Sequence, residues 1–274
     1  MEIIAASFKD RILYQNNACM VINKLPGESS GISAIVMCKK GEMPSETGEA
    51  VTSGGKSILF PVHRLDTPVS GCLLLAKTRE SAAFLSTVFA GPASEKAPAV
   101  EKRYWAIVEK PKEEHKLPND AELIHWLYEN KKINKSFAYP FDDTLPYLHG
   151  SNREAINPKG PILNSKYSKP KKAVLRYRII GEGEFYLFLE IRLVTGRHHQ
   201  IRAQLAALGL FIKGDLKYGA KRSEKGGGIR LHASSLIFPN PLDPSEAVRV
   251  KAPPPVEDSL WRSFAEAAST NNMR

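Results

Sequence analysis

Residues Phe185 to Thr195 alternate almost without a break. Phe185, Leu187, Leu189, Ile191 and Leu193 fall on one side, and Tyr186, Phe188, Glu190, Arg192 and Val194 on the other. A period of two over this length is a β-strand, because successive side chains of an extended chain point to opposite faces. The strand delivers Thr195-Gly196-Arg197-His198-His199-Gln200-Ile201-Arg202, after which Ile201, Leu205 and Leu208 recur at helical spacing and Gly209 is placed to end a helix. Strand and helix thus follow one another through a polar loop. His198 and Arg202 lie four apart and share a helix face. Donors gathered at a helix N-terminus suit a phosphate, since free N–H groups and the helix dipole point the same way.

A second stretch carries the candidate chemistry. His63-Arg64-Leu65-Asp66 is followed by Thr67-Pro68-Val69-Ser70-Gly71 and then Cys72-Leu73-Leu74-Leu75-Ala76-Lys77. Pro68 and Gly71 supply a turn, and Leu73 to Ala76 reads as a short strand hidden on both faces. A loop tied to such a strand holds its side chains firmly, so Asp66 is the leading candidate for a reactive carboxylate. The plainer reading of Asp66 is a turn cap paired with Arg64.

Residues 12–25 read as two short strands around Asn16-Asn17. Lys24, just ahead of Pro26-Gly27, reads as an exposed loop lysine, or as a phosphate contact. Residues 41–57 and 91–100 read as loops. Thr78 N-caps a helix bearing Phe84, Leu85, Val88 and Phe89, which Gly91-Pro92 ends. Lys102 to Val108 is a strand with Tyr104, Ala106 and Val108 on one face. Residues 110–172 are polar and lysine-rich, and Ala121 to Tyr128 is read as a short helix within them. The remainder is a loop-rich excursion, either mobile and phosphate-facing or simply solvated. Ala173 to Ile180 resumes strand pattern. A further strand spans Arg230 to Phe238. Leu260, Trp261, Phe264 and Ala267 mark an amphipathic closing helix at about 256–268.

The chain of 274 residues has a formal net charge of +10. Between Ile191 and His232 there are nine lysines and arginines against two acids, +7 of that total. Such concentration resembles a nucleic-acid footprint. Cys19, Cys38 and Cys72 are too widely spaced for a disulfide framework or a zinc pattern, and a reducing, cytoplasmic setting is expected. The opening breaks into Lys9-Asp10-Arg11 too soon for a secretory signal, and no apolar run approaches the ~20 residues of a membrane span.

Together, His63-Arg64-Leu65-Asp66 with Ser70-Gly71 and Leu73–Lys77, Lys102-x-Tyr104-x-Ala106-x-Val108, Leu193-x-Thr195-Gly196-Arg197-x-His199-Gln200-Ile201-Arg202 with Gly214-Asp215 and Tyr218-Gly219, and Leu231-His232-Ala233 resemble the RluA-type pseudouridine synthases. The resemblance covers roughly residues 12–241. It implies an α+β (mixed α/β) catalytic domain spanning 1–274, built on a long, bent, mainly antiparallel sheet flanked by helices. No N-terminal accessory RNA-binding domain is expected. It implies isomerisation of uridine to pseudouridine in rRNA or tRNA, by a monomer, with no cofactor, metal, nucleotide or membrane involved. Asp66 matches the family's catalytic aspartate, Tyr104 the tyrosine packed on the target base, and Arg197 the arginine paired with the aspartate, which would keep it ionised. Arg64 matches the residue that fills the space left by the flipped base. His63, Arg64, Lys102, His199, Gln200 and Arg202 form the expected RNA-binding set. Val69 and Cys72 depart mildly from the family pattern. The excursion is a candidate for substrate choice.

Two other readings compete. A non-catalytic RNA-binding protein would keep the basic segment without needing Asp66. A metal-dependent hydrolase would gather His63, Asp66, His198, His199 and His232, although adjacent histidines are not a helical ligand spacing.

Overall fold

The computed structural model describes residues 8–31, 52–53, 56–57, 59–91, 99–111, 117–140, 169–224, 226–256 and 258–271. The loops expected at 41–57 and 91–100 fall largely outside them, as do 112–116 and 141–168 of the excursion. The chain divides into two compact units, Met1–Arg103 with His232–Glu257, and Tyr104–Leu231 with Asp258–Arg274.

In the first unit β1 (Ile12–Gln15) and β2 (Cys19–Lys24) form the expected antiparallel pair. Asn16 makes the turn: its Oδ1 accepts the amides of Ala18 and Cys19 at 2.9 and 2.8 Å, a side chain standing in for a backbone turn. β3 (Thr52–Ser53) and β4 (Lys56–Ser57) form a short ladder. β5 (Phe60–Pro61) and β2 both pair antiparallel with β6 (Ser70–Ala76). Every residue of β6 is buried, as its apolar run requires. α1 (Arg79–Ala90) starts with a reciprocal cap, Thr78 Oγ1 accepting the Ser81 amide while Ser81 Oγ accepts that of Thr78. Its Leu85 packs in one cluster with Leu74, Phe238 and Val250.

β12 (Leu231–Asn240) runs parallel to β6 through His232↔Ser70 and Ala233↔Gly71, and antiparallel to β13 (Asp243–Lys251). Gly71 has φ 111°, and a Cβ there would lie 2.3 Å from the Ala233 carbonyl oxygen. Only glycine permits this approach of backbone to backbone.

In the second unit the strand order is β7 (Glu101–Glu109), β11 (Tyr186–Leu193), β10 (Lys171–Glu182), β8 (Asp120–Asn130) and β9 (Lys135–Pro140). The helix expected at Ala121–Tyr128 is instead strand β8, paired antiparallel with β10 from Lys171↔Leu127 to Arg178↔Asp120. Its inward residues are Leu123, His125 and Leu127. The histidine breaks the apolar alternation to the eye while occupying a buried position. β8 and β9 then close a hairpin, so residues 120–140 belong to the sheet rather than to a loop-rich excursion.

α2 (Gln200–Ala207) follows the polar loop as expected. α3 (Ser259–Asn271) buries Trp261 and Phe264 against Ile107, Ile180 and Phe188. This cover explains why Phe188 is buried although it sits opposite Leu187 and Leu189 in the alternation. Most described pairings are antiparallel, β6–β12 is parallel, and helices pack on strands, which is the α+β class expected. Among the described residues no helix is long and apolar enough to cross a membrane.

Candidate active site

Asp66 sits in a loop fastened from three directions. Lys24 ends β2 with its side chain fully buried, and its Nζ donates to the carbonyl oxygens of Leu25, Glu28 and Thr67 at 2.9, 2.8 and 3.1 Å. The amide of Gly27 donates to the same Thr67 oxygen at 2.8 Å. Ser30 Oγ accepts the Leu65 amide at 3.0 Å and donates to the Leu65 oxygen at 3.1 Å. The turn closes where the Val69 amide donates to the Asp66 oxygen at 3.0 Å. Lys24 is therefore neither the exposed lysine nor the phosphate contact expected. Burial pushes its ammonium down to about 8, and Glu28 and Asp66 pull it back only in part. Glu28 is itself occupied by Arg11, at 2.6 Å.

The rest of the tetrad divides by exposure. Arg64 is exposed. His63 turns inward: its Nε2 accepts the Leu74 amide at 3.0 Å and its ring stacks on Phe89 at 5.0 Å. Burial, aided by Lys102, holds its pKa down to about 3, so the ring is neutral. Lys102 lies over the Phe89 ring, 4.7 Å from its centre. Nearby in this unit, His232 is sealed: Ser70 Oγ lies 2.9 Å from Nδ1 and the Ala252 oxygen 3.0 Å from Nε2. A carbonyl only accepts, so Nε2 carries the hydrogen and Ser70 donates to Nδ1. Burial lowers this histidine to about 4.

The second unit holds Tyr104, buried on β7, and the loop that leads into α2. Arg197 is exposed, and its Nε donates to the Lys172 oxygen at 3.3 Å. Gln200 is buried and works as a brace. Its Oε1 accepts the Arg197 amide and the Thr195 hydroxyl at 2.9 and 2.8 Å, and its Nε2 donates to the Val174 oxygen at 3.0 Å. Arg202 is likewise interior. It grips Asp215 with two bonds of 2.7 Å and lies over the Tyr218 ring, 4.8 Å from its centre. His199, at φ 50°, places Nδ1 3.0 Å from the Tyr218 hydroxyl. The expected RNA-binding set thus separates into an exposed member, Arg64, and members that hold the loops, Gln200 and Arg202 most plainly.

The basic segment separates in the same way. Arg202 is matched by Asp215, and Lys213 and Arg230 converge on Glu224. Arg230 also reaches Asp258 at 2.5 Å, whose other oxygen caps α3 at the Trp261 amide. Burial would raise the Glu224 carboxyl, but bonds from Arg230 and Lys213 bring it below its usual range. Arg192, Arg197, Lys217, Lys221 and Arg222 remain exposed. Sequence reasoning missed Ser30, Ser136 and the buried roles of Lys24 and Asp215; the signal for the last was its place straight after Gly214. Among the described residues no three His, Cys, Asp or Glu side chains gather as a metal site would require.

A family model described as RNA pseudouridylate synthase matches residues 18–207. A tRNA pseudouridine synthase C of Vibrio vulnificus is 30% identical over 220 residues, 76% of this chain and 76% of that one. An uncharacterized RNA pseudouridine synthase of Zymomonas mobilis is 29% identical over 228 residues, 82% of this chain and 86% of its own. The solved human RNA pseudouridylate synthase domain containing 4 has a TM-score of 0.62 at 20% identity, covering 97% of this chain and 96% of that one, a likeness of fold. The matched stretch exceeds half of the chain and encloses both the His63–Asp66 tetrad and the Gly196–Arg202 block, and the chain belongs to the RluA-type RNA pseudouridine synthase family, isomerases that act on RNA.

Proposed function

We propose that this chain converts uridine to pseudouridine in ribosomal or transfer RNA with Asp66 as the catalytic carboxylate. The observation that carries this reading is the Asp66 loop, held by Lys24 at the buried end of β2 and by Gly27 and Ser30 of the segment that follows it. A carboxylate on a loop fixed in this way keeps its geometry through a reaction. The conversion breaks the C–N bond between ribose and base and makes a C–C bond in its place. One proton leaves the base carbon and one is gained at the freed nitrogen, so the formula is unchanged and no electron acceptor takes part. Asp66 acts either as nucleophile or as base at the sugar.

A stacked uridine is out of reach, so the nucleotide is flipped at a cost of roughly a few kcal/mol, least where the RNA is unpaired. Tyr104 packs on the extruded base, Arg64 occupies the gap, and Arg197 pairs with Asp66. His63, Gln200 and Arg202 act through the loops they brace. Transfer RNA is named for the Vibrio vulnificus relative, and mapping pseudouridine in cellular RNA with and without this protein separates the two RNA classes.

The direct test is Asp66→Asn. We expect RNA affinity within about twofold of the parent and product formation below about 10⁻³ of it, as when a reacting group is removed outright. Product formation by Asp66→Asn at parental rate defeats the assignment.

A further inference from the structure

The β8–β9 hairpin ends in Lys131-Lys132-Ile133-Asn134, all exposed. This tip is not a free loop. Ser136 Oγ donates to the His198 carbonyl oxygen at 2.8 Å and lies 2.9 Å from His198 Nδ1. His198 Nε2 is 3.0 Å from Asn134 Oδ1. The Ser136 amide donates to the Tyr218 hydroxyl at 2.8 Å, the same hydroxyl that meets His199. Lys217 Nζ donates to the Asn134 oxygen at 3.1 Å, and the Lys135 ammonium lies over the Tyr218 ring, 5.0 Å from its centre. Hairpin tip, 197–199 loop and 215–219 turn are therefore one braced body.

That body presents Lys131, Lys132, Lys217 and Arg197 to solvent. The same tip and turn carry two exposed apolar side chains, Ile133 next to Lys132 and Leu216 next to Lys217 in the chain, at 51% and 57% of full exposure. Two acids border it: Asp215 is sealed against Arg202, and Glu129 lies 3.9 Å from His198 Nδ1. Cations interleaved with apolar residues suit a strand that offers phosphates and bases in turn. A duplex hides its base faces, whereas unpaired nucleotides offer them. An aliphatic side chain can press on such a face.

We propose, on the footing that RNA is the substrate, that this tip is a second RNA-gripping site. It takes two or three consecutive phosphates of an unpaired strand on Lys131, Lys132 and Lys217, and seats a base against Ile133 and Leu216. His198 joins the tip to the loop carrying Arg197, so a strand held here orients Arg197. His198 is a positioning residue in this scheme.

The test is Lys131→Glu with Lys132→Glu in the full chain, titrated with a 20-nucleotide polyuridylate strand. At about 0.1 M salt the Kd should rise about tenfold or more, and the slope of log affinity against log salt should fall by about 1.4, two contacts at about 0.7 each. Lys131→Arg with Lys132→Arg should restore both. Ile133→Ser should weaken the single strand and leave an RNA duplex of equal length unchanged. Unaltered Kd and slope in the Glu variant overturn the proposal. So does an equal loss on Arg249→Glu with Lys251→Glu, the same charge change on β13, which would mean a diffuse field. Tighter binding of polyglutamate than of polyuridylate also overturns it, since the surface would then serve an acidic protein. A chain that binds polyuridylate through the tip but forms no pseudouridine on unmodified tRNA or rRNA transcripts sinks the proposed activity and leaves this site standing.

Discussion

Two loops carry the expected site residues, and each is fastened from within by a buried cation, but the two cations are satisfied differently. Under Asp66, Lys24 spreads three donors over three neutral carbonyl oxygens. Behind the Arg197 loop, Arg202 meets a carboxylate fork to fork and rests on an aromatic ring. A compact ammonium suits convergent carbonyls, whereas a planar guanidinium suits a carboxylate. The chemical consequence is titration. Neutral carbonyls do not repay the burial of a charge in full, so Lys24 sits near 8, within reach of ordinary buffers. A guanidinium does not deprotonate, so the cation of the second fastening keeps its charge throughout this range.

The largest effect expected from this contrast is on the second loop. Asp215→Ala leaves the Arg202 charge buried and unmatched, at a cost of about 3–5 kcal/mol by urea unfolding. Arg202→Met with Asp215→Leu should recover most of that loss, because the pair is then replaced by apolar volume. A cost under about 1 kcal/mol for the single variant would mean that the pair holds nothing.

The next effect separates the loops by pH. Lys24 has an ordinary value of 10.5 and a folded value of about 8. Between these values the unfolded chain holds a proton that the folded chain has released. Stability from this group therefore rises with pH through that window, by about 3 kcal/mol, is complete above 10.5 and is lost as pH falls through 8. Cys19 and Cys72, pushed up to about 12 by burial, act in the opposite direction above pH 9. The Lys24 contribution is read as the difference between the parent and Lys24→Met across pH 8 to 10.5. Parallel curves would show that the two cations are alike after all.

The same contrast explains what the sequence made legible. The Asp66 loop, strand β6, the Thr78 cap, β11 and the helix after His199 were readable because local chemistry dictates them: proline and glycine at a turn, a solid apolar run, a capping hydroxyl, alternation followed by helical spacing. The burial of Lys24 was not readable: two of its carbonyl partners, Leu25 and Glu28, are local, but the third, Thr67, lies 43 residues away and only the fold brings it in. His125 disguised β8 because one buried polar residue hides a period of two. Charge counting gave the net of the segment but not which cations carry it: Arg202, Lys213 and Arg230 are the ones engaged by its two acids, Asp215 and Glu224. A sum of charges does not distinguish a cation facing solvent from one already paired. Gln200 and Arg202 stood in a block that resembles an RNA-binding signature, yet their atoms face inward to the chain itself.

The smallest stability effect tests the meaning of the comparison most directly. Lys24→Met removes three charge-assisted bonds but also removes a buried charge, and the two contributions oppose each other. The net cost should be about 1–2 kcal/mol, well below that of Asp215→Ala. Activity should respond out of proportion. With the Nζ contact to Thr67 gone, the turn after Asp66 loses one of the fasteners that it shares with the Gly27 amide, Ser30 and the Val69 amide. Displacement of a reacting carboxylate by about 1 Å costs on the order of 10²-fold in rate. We therefore expect pseudouridine formation to drop by about that factor in kcat at a temperature where circular dichroism shows the variant fully folded, with polyuridylate affinity retained. Should kcat instead follow the folded fraction alone, Lys24 serves stability like Arg202, and the distinction between the two fastenings disappears.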